Sequence, residues 1–140
     1  LSVVDTNVLV HASALTSPEH AKARSALAQL SATGPVAVSR QILREFLSAT
    51  TRPQTWAKAA SFAEATRNTD DYIKRFTVLD DGPQVWAELM ALGRRYAFGG
   101  KQVHDANIVA TMLAYGETRL LTFNGADFQR FASVITVLAP

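Results

Sequence analysis

The stretch Leu1-Ser2-Val3-Val4-Asp5-Thr6-Asn7 sets the reading of the whole chain: a short β-prone run ends in three residues that favour turns and helix starts. Such a junction is a strand feeding a helix. The same step recurs along the sequence. Val36-Ala37-Val38 leads to Ser39, which can cap a helix whose Ile42, Leu43, Phe46 and Leu47 fall at helical spacing before Arg52-Pro53 stops it. Phe76-Thr77-Val78-Leu79 leads to the turn Asp80-Asp81-Gly82-Pro83. Beyond it, Val85, Trp86, Leu89, Met90 and Leu92 make an amphipathic helix running towards Tyr96. Arg119-Leu120-Leu121-Thr122 and Val134-Ile135-Thr136-Val137 supply two more strands. Five short strands alternating with helices predict an α/β fold, a three-layer α/β/α domain with a mainly parallel sheet.

The intervening segments complete the pattern. Ser17-Pro18-Glu19 reads as a helix start and Gly34-Pro35 as its end. Thr55 to about Arg75 is alanine-rich and predicted helical, with Asn68-Thr69-Asp70-Asp71 breaking it into two helices. Phe98-Gly99-Gly100-Lys101 reads as a loop. Ile108, Val109, Met112 and Leu113 mark the apolar face of a helix from about Val103 to Tyr115, which Gly116 ends. Asn124-Gly125 and a short turn near Asp127 precede the last strand.

At 140 residues, 48% hydrophobic and 19% charged, the chain fits one domain over residues 1–140 with a single core. Disorder and fibrous classes are excluded. Fourteen basic residues against 12 acidic ones give +2, a balance that names no partner. The absence of cysteine excludes disulfide scaffolds, thiol nucleophiles and thiolate zinc sites, and leaves only His11, His20 and His104 as nitrogen ligands. No apolar run approaches the ~18 residues of a membrane helix, so a soluble cytoplasmic protein is expected.

Four carboxylates stand out. Asp5 follows the first strand, where open α/β sheets bind ligands, although it can equally serve as the cap of the next helix. Asp105 lies three and four residues before Ile108 and Val109, which places it beside an apolar face, unless it is simply an acid in a helix's first turn. Glu45 sits beside the apolar stripe of its helix, a position that solvated acids commonly hold. Asp127 follows a second strand end, with turn chemistry as its plainer role. Asp5, Asp105 and Asp127 attach to one edge of the predicted sheet, and Glu45 rides a helix that starts there. Converging carboxylates repel and raise one another's pKa values, which divalent cations relieve. Hard oxygen ligands without His-x-His spacing favour Mg2+ or Mn2+ over Zn2+, and such a site suits attack of activated water on a phosphodiester.

These residues resemble the PIN-domain nucleases, and within them the VapC toxins of toxin–antitoxin pairs. The resemblance rests on Val3-Val4-Asp5-Thr6-Asn7, the Glu45 helix after a short strand, His104-Asp105-Ala106 opening a later helix, and Leu121-Thr122-Phe123-Asn124 followed by Asp127-Phe128. It covers essentially the entire chain. It implies a five-stranded parallel sheet, an Mg2+ or Mn2+ site and cleavage of single-stranded or loop RNA. Asp5, Glu45 and Asp105 match the principal acids, Asp127 the fourth, and Asn7 and Thr122 supporting polar positions. A homodimer and a small VapB-like antitoxin that blocks the acidic cleft are implied as well.

RNA would need basic residues near the acids, for which Lys22, Arg24, Arg40, Arg44, Arg94, Arg95 and Lys101 are the candidates. Tyr96, Phe98 and Trp56 could stack on bases if exposed, but Trp56 and Trp86 are expected in the core. His104 is expected to make a structural hydrogen bond. Two other functions compete. A haloacid-dehalogenase-like phosphohydrolase would use Asp5 as nucleophile, but wants a second Asp where Asn7 stands. A PIN-like scaffold would bind RNA or protein without cutting.

Overall fold

A computed structural model describes all 140 residues. Strand β1 (Ser2–Val4) lies in the middle of a five-stranded, wholly parallel sheet in the order β3-β2-β1-β4-β5. Its neighbours are β2 (Val36–Ser39), pairing Val3 with Ala37, and β4 (Arg119–Leu121), pairing Val3 with Leu120. Outside these run β3 (Thr77–Leu79) and β5 (Thr136–Leu138). Parallel neighbours need crossover connections, which the helices supply. Helices α1 (Thr6–Ser13), α2 (His20–Thr33), α3 (Arg40–Thr50) and α4 (Phe62–Arg75) pack in succession, α1 on α2 and α3, and α3 on α4. Helices α5 (Pro83–Arg95) and α6 (Gln102–Ala114) form a second group, with a 3-10 segment over Gly125–Phe131 against α6. The three-layer α/β/α reading is thereby met.

The strand residues show why both faces must be covered. Val3, Val4, Ala37, Val38 and Leu120 are almost completely buried, so the central strands carry apolar side chains on both sides. Phe46, Phe128 and Phe131 fill the space beneath the helices, and Phe46 stands edge-on to Tyr72 with ring centroids 5.4 Å apart. Ser39 ends β2 and caps α3 by accepting a hydrogen bond from the Ile42 amide at 3.1 Å. Gly116, with φ +73°, takes the left-handed turn that ends α6.

Several local expectations are corrected. Helix α2 starts at His20, because the Ser17 hydroxyl accepts from the Glu19 amide at 3.1 Å and closes a turn ahead of the helix. Residues 55–61 are not helical: Gln54 and Ala57 exchange backbone hydrogen bonds in a tight turn, and Ser61 caps α4. The predicted break at Asn68-Thr69-Asp70-Asp71 is absent. Ala65, Thr69 and Tyr72 fall on one buried stripe, and the Thr69 hydroxyl satisfies itself on the Thr66 carbonyl, so the helix passes through its polar run. Strand β5 begins two residues later than expected, since the Val134 and Ile135 amides bond back to the Phe131 carbonyl.

The two tryptophans also depart from expectation. Trp86 is 64% exposed: α5 buries Val85, Leu89 and Leu92, and Trp86 lies one residue off that stripe, about 100° round the helix. Trp56 is half-buried rather than central. Tyr96 and Phe98 are not free to stack, because both pack edge-on against Phe131. Phe46→Ala is expected to lower unfolding free energy by about 3–5 kcal/mol. Trp86→Ala should stay within about 0.5 kcal/mol of the wild type. Urea denaturation monitored by circular dichroism checks both, and equal losses at the two positions would contradict this assignment of the core.

Candidate active site at the carboxyl edge of the sheet

The chain runs from β1 outward to β2 and β3 on one side, and returns to place β4 and β5 on the other. The carboxyl ends of β1 and β4 therefore meet where strand order reverses, the place at which open α/β sheets form a crevice. Asp5 leaves β1 and Thr122 leaves β4 at this point, with the Asp5 amide bonded to the Leu121 carbonyl at 2.9 Å.

Asp5 is 6% exposed, and its carboxylate is fixed from three directions. Oδ1 accepts from the Thr6 amide at 2.8 Å, while Oδ2 accepts from the Thr122 hydroxyl at 2.8 Å and more distantly from Asn7 Nδ2 at 3.4 Å. Capping and pocket formation, alternatives in the sequence, are both served by this one side chain. Asn7 binds across the β1–β4 junction, with Nδ2 donating to Thr122 Oγ1 at 3.2 Å and Oδ1 accepting from the Phe123 amide at 3.0 Å. The Asn124 amide donates to Thr122 Oγ1 at 3.0 Å. Thr122 is therefore saturated, and its hydroxyl proton points at Asp5.

Glu45 comes from α3, which Ser39 starts at the same edge. Its Oε2 accepts from the Thr6 hydroxyl at 3.2 Å, and its Oε1 from Gln41 Nε2 at 2.8 Å. Gln41 is buried and fully used: Nε2 also donates to the His104 carbonyl, and Oε1 accepts from Asn107 Nδ2, both at 2.8 Å. Thr6, Gln41 and Asn107 are the residues that sequence reasoning missed. Gln41 stands four residues before Glu45, a helical contact distance that was available as a signal. Asn107 carried none, because its partner lies on another helix.

Asp105, in the first turn of α6, is partly buried, lines a cavity with Asp5 and Glu45 and lies within electrostatic reach of Asp127. Burial chiefly, and then the negative charges of Asp5, Asp127 and Glu45, push its pKa up to about 6; His104 opposes this weakly. Burial likewise raises Asp5, against the Thr122 and Thr6 hydrogen bonds, with Glu45 and Asp127 adding repulsion. Asp127 is exposed and sits in the 3-10 segment, within electrostatic reach of Asp5 and Asp105 but outside the walls of the acidic cavities. None of the four acids makes a salt bridge; the two ion pairs of the protein are Leu1–Glu117 at the N-terminus and Arg40–Asp80.

Two adjoining cavities, of about 370 and 610 Å3, share Thr6, Glu45, Ala49, Arg52 and Asp105. Asp5, Asn7, His11, Trp56 and Asn124 line the smaller, and Arg44, Lys101 and His104 the larger. Of the basic candidates only Arg44 and Lys101 border the acids. Arg40 is committed to Asp80, Arg24 lies by Tyr72, Lys22 lines a separate groove, and Arg95 stacks on Tyr96. Arg52, read from sequence only as a helix stop, borders both acidic cavities.

The donors around the acids are carboxylate, amide and hydroxyl oxygens, a set suited to a hard divalent cation. No three His, Asp or Glu side chains form a ready-made ligand cage. The arrangement fits a cation that keeps part of its water shell and reaches some of the carboxylates through it, as Mg2+ commonly does.

Comparison with known proteins agrees with this architecture. A ribonuclease VapC24 of Mycobacterium tuberculosis is 26% identical over 134 residues, covering 91% of this chain and 89% of the relative. The solved structure of M. tuberculosis VapC20, described as a Sarcin-Ricin loop cleaving toxin, superposes with a TM-score of 0.71 at 17% identity over all of both chains. A chain of VapBC2 from Rickettsia felis, solved bound to a DNA fragment from its promoter, gives 0.69 at 17% identity, covering 99% of this chain and 97% of the other. No helix here is long and apolar enough to cross a membrane. The PIN domain family matches residues 2–134, nearly the full length that builds the sheet and its acidic edge, and the chain belongs to that family.

Proposed function

We propose that the protein is an Mg2+- or Mn2+-dependent endoribonuclease acting on single-stranded or loop RNA, restrained by a small VapB-like antitoxin. The observation that carries this reading is the trio Asp5, Glu45 and Asp105 lining one cavity, with Asp127 within electrostatic reach and no cationic side chain paired to any of the four. Such a set is costly unless an external cation completes it. The names of the similar proteins support the same reading: a ribonuclease, a toxin that cleaves an RNA loop, and toxin–antitoxin complexes.

In this reading Asp5, Glu45 and Asp105 would hold the cation, with Asp127 adding negative charge at the rim. Bound there, the ion supplies activation of water and stabilisation of charge on the leaving oxygen. The protein's own residues do the positioning. Thr122 and Asn7 keep the Asp5 carboxylate from rotating, Gln41 and Thr6 do the same for Glu45, and Arg44, Arg52 and Lys101 draw phosphates towards the acids. A nucleophilic Asp5 is disfavoured, since its carboxylate is enclosed and both oxygens already accept hydrogen bonds.

Asp5→Asn or Asp105→Asn should abolish divalent-dependent RNA cleavage while leaving the circular dichroism spectrum unchanged. Thr122→Val, which removes a partner of Asp5 and none of the acids, should weaken metal affinity or activity by about 10- to 100-fold. Full activity in either aspartate variant would sink the reading. Induced expression with and without the adjacent small reading frame, followed by mapping of RNA 5′ ends, tests the toxin and antitoxin parts together. New ends suppressed by the partner are expected, and no new ends would count against them.

The raised pKa of Asp105 gives a second handle. Because the folded state holds this proton more tightly than the unfolded chain does, stability from this group is full below about pH 4 and falls as pH rises towards about 6. A cation favouring the ionised carboxylate reverses that loss. The increase in melting temperature on adding Mn2+ is therefore expected to be larger at pH 7 than at pH 5, and to shrink in Asp105→Asn. A metal-induced shift independent of pH would contradict the assignment.

A further inference from the structure

The smaller acidic cavity is lined by two chemically different sets of side chains. One is Asp5, Glu45 and Asp105. The other is aromatic or amide, Trp56, His11, Gln54 and Asn124, and Arg52 also lines the cavity. No hydrogen bond that positions the acids comes from the side chains of this second set.

Its construction is rigid. Trp56 sits within the turn that Gln54 and Ala57 close by exchanging backbone hydrogen bonds at 2.8 and 3.4 Å. His11 packs against the indole with ring centroids 5.1 Å apart and is itself edge-on to Phe123 at 5.2 Å. The His11 ring is clamped by Ser17, whose Oγ lies 2.6 Å from Nδ1. Burial pushes the His11 pKa down, so the imidazole stays neutral near pH 7. Three rings thus lead from the end of β4 to the cavity wall. The flanking amides are available: Gln54 Nε2 donates to the Ala49 carbonyl at 3.0 Å, leaving Oε1 free, and the Asn124 side chain is exposed.

A flat apolar surface edged by uncharged hydrogen-bonding groups suits a nucleobase, and a phosphate has no use for it. An unpaired cation beside it and acids beyond it suit the phosphate that follows the base. We propose that Trp56, held from behind by His11, is the stacking platform for one unpaired nucleobase of the RNA strand, with Gln54 and Asn124 facing its edge and Arg52 its phosphate. The identity of the strand as RNA substrate rests on the ribonuclease reading above. The platform makes Trp56 a substrate-positioning residue, and its preset geometry lowers the ordering cost of binding.

The chain has two tryptophans, so Trp86→Phe, a change at an exposed site that lines neither acidic cavity, leaves Trp56 as the only indole reporter. That protein, in Ca2+ buffer, is titrated with a short single-stranded RNA of mixed sequence, an abasic strand of equal length and charge, and a free mononucleotide. The RNA is expected to quench Trp56 emission. The abasic strand and the mononucleotide are expected to bind at least about tenfold more weakly, the abasic strand without quenching. In the otherwise wild-type protein, Trp56→Phe should keep RNA affinity. Trp56→Leu should lose about tenfold, raise KM with little change in kcat, and keep the wild-type circular dichroism spectrum. Equal quenching by the abasic strand, equal affinity for the mononucleotide, absence of quenching, or an unchanged KM in Trp56→Leu would each overturn the platform. Metal-dependent cleavage with an unchanged KM in Trp56→Leu would do so while leaving the ribonuclease reading intact. Base-dependent quenching by a protein that cuts no RNA would sink that reading and leave the platform standing.

Discussion

The hydrogen bond from the Thr122 hydroxyl to the Asp5 carboxylate joins the two strands between which the order of the sheet reverses. Burying Asp5 this deeply is unfavourable, and its raised pKa records the cost. The structure tolerates it because an amide, a hydroxyl and a side-chain amide all point at the carboxylate, and because Asn7 and the Asn124 amide hold Thr122 in place. Removing any member leaves a buried polar atom without its partner, so the sheet junction and the acidic pocket are specified by the same small network.

Around that point the other acids are arranged by helix starts. Ser39 begins α3 so that Glu45 arrives on the second turn, where Gln41, one turn earlier, can reach it. The same Gln41 ties α3 to α6 through the His104 carbonyl and Asn107, which fixes Asp105 relative to Glu45. The pocket is therefore assembled from four separate chain segments by hydrogen bonds rather than by ion pairs, which leaves the charge on its carboxylates uncancelled.

Much of this was legible in the residues, for identifiable reasons. Strand-to-helix steps at Asp5 and Ser39 are marked by a change from β-branched residues to capping residues, so the parallel sheet and the place of Asp5 at its edge could be read directly, whereas Glu45 stood out only in the company of the other acids. Trp86 was misjudged because helical spacing cannot separate a stripe from its neighbour when both hold large apolar residues. The run Asn68–Asp71 was misjudged because a threonine can bond its own helix and be buried among charges. Gln41 and Asn107 stayed hidden for another reason: their roles exist only once α3 and α6 are side by side, and no local pattern records that approach.

The position of β1 has a temporal side. Strand β1 is the central one, yet its partner β4 and the hydroxyl of Thr122 lie more than a hundred residues later. Pairing at such separation is slow to form and entropically costly. During synthesis, residues 2–4 keep one strand edge open until β4 has left the ribosome. The acidic pocket therefore cannot close before Thr122 reaches Asp5. Whatever chemistry the pocket performs, it waits on the pairing of β1 with β4.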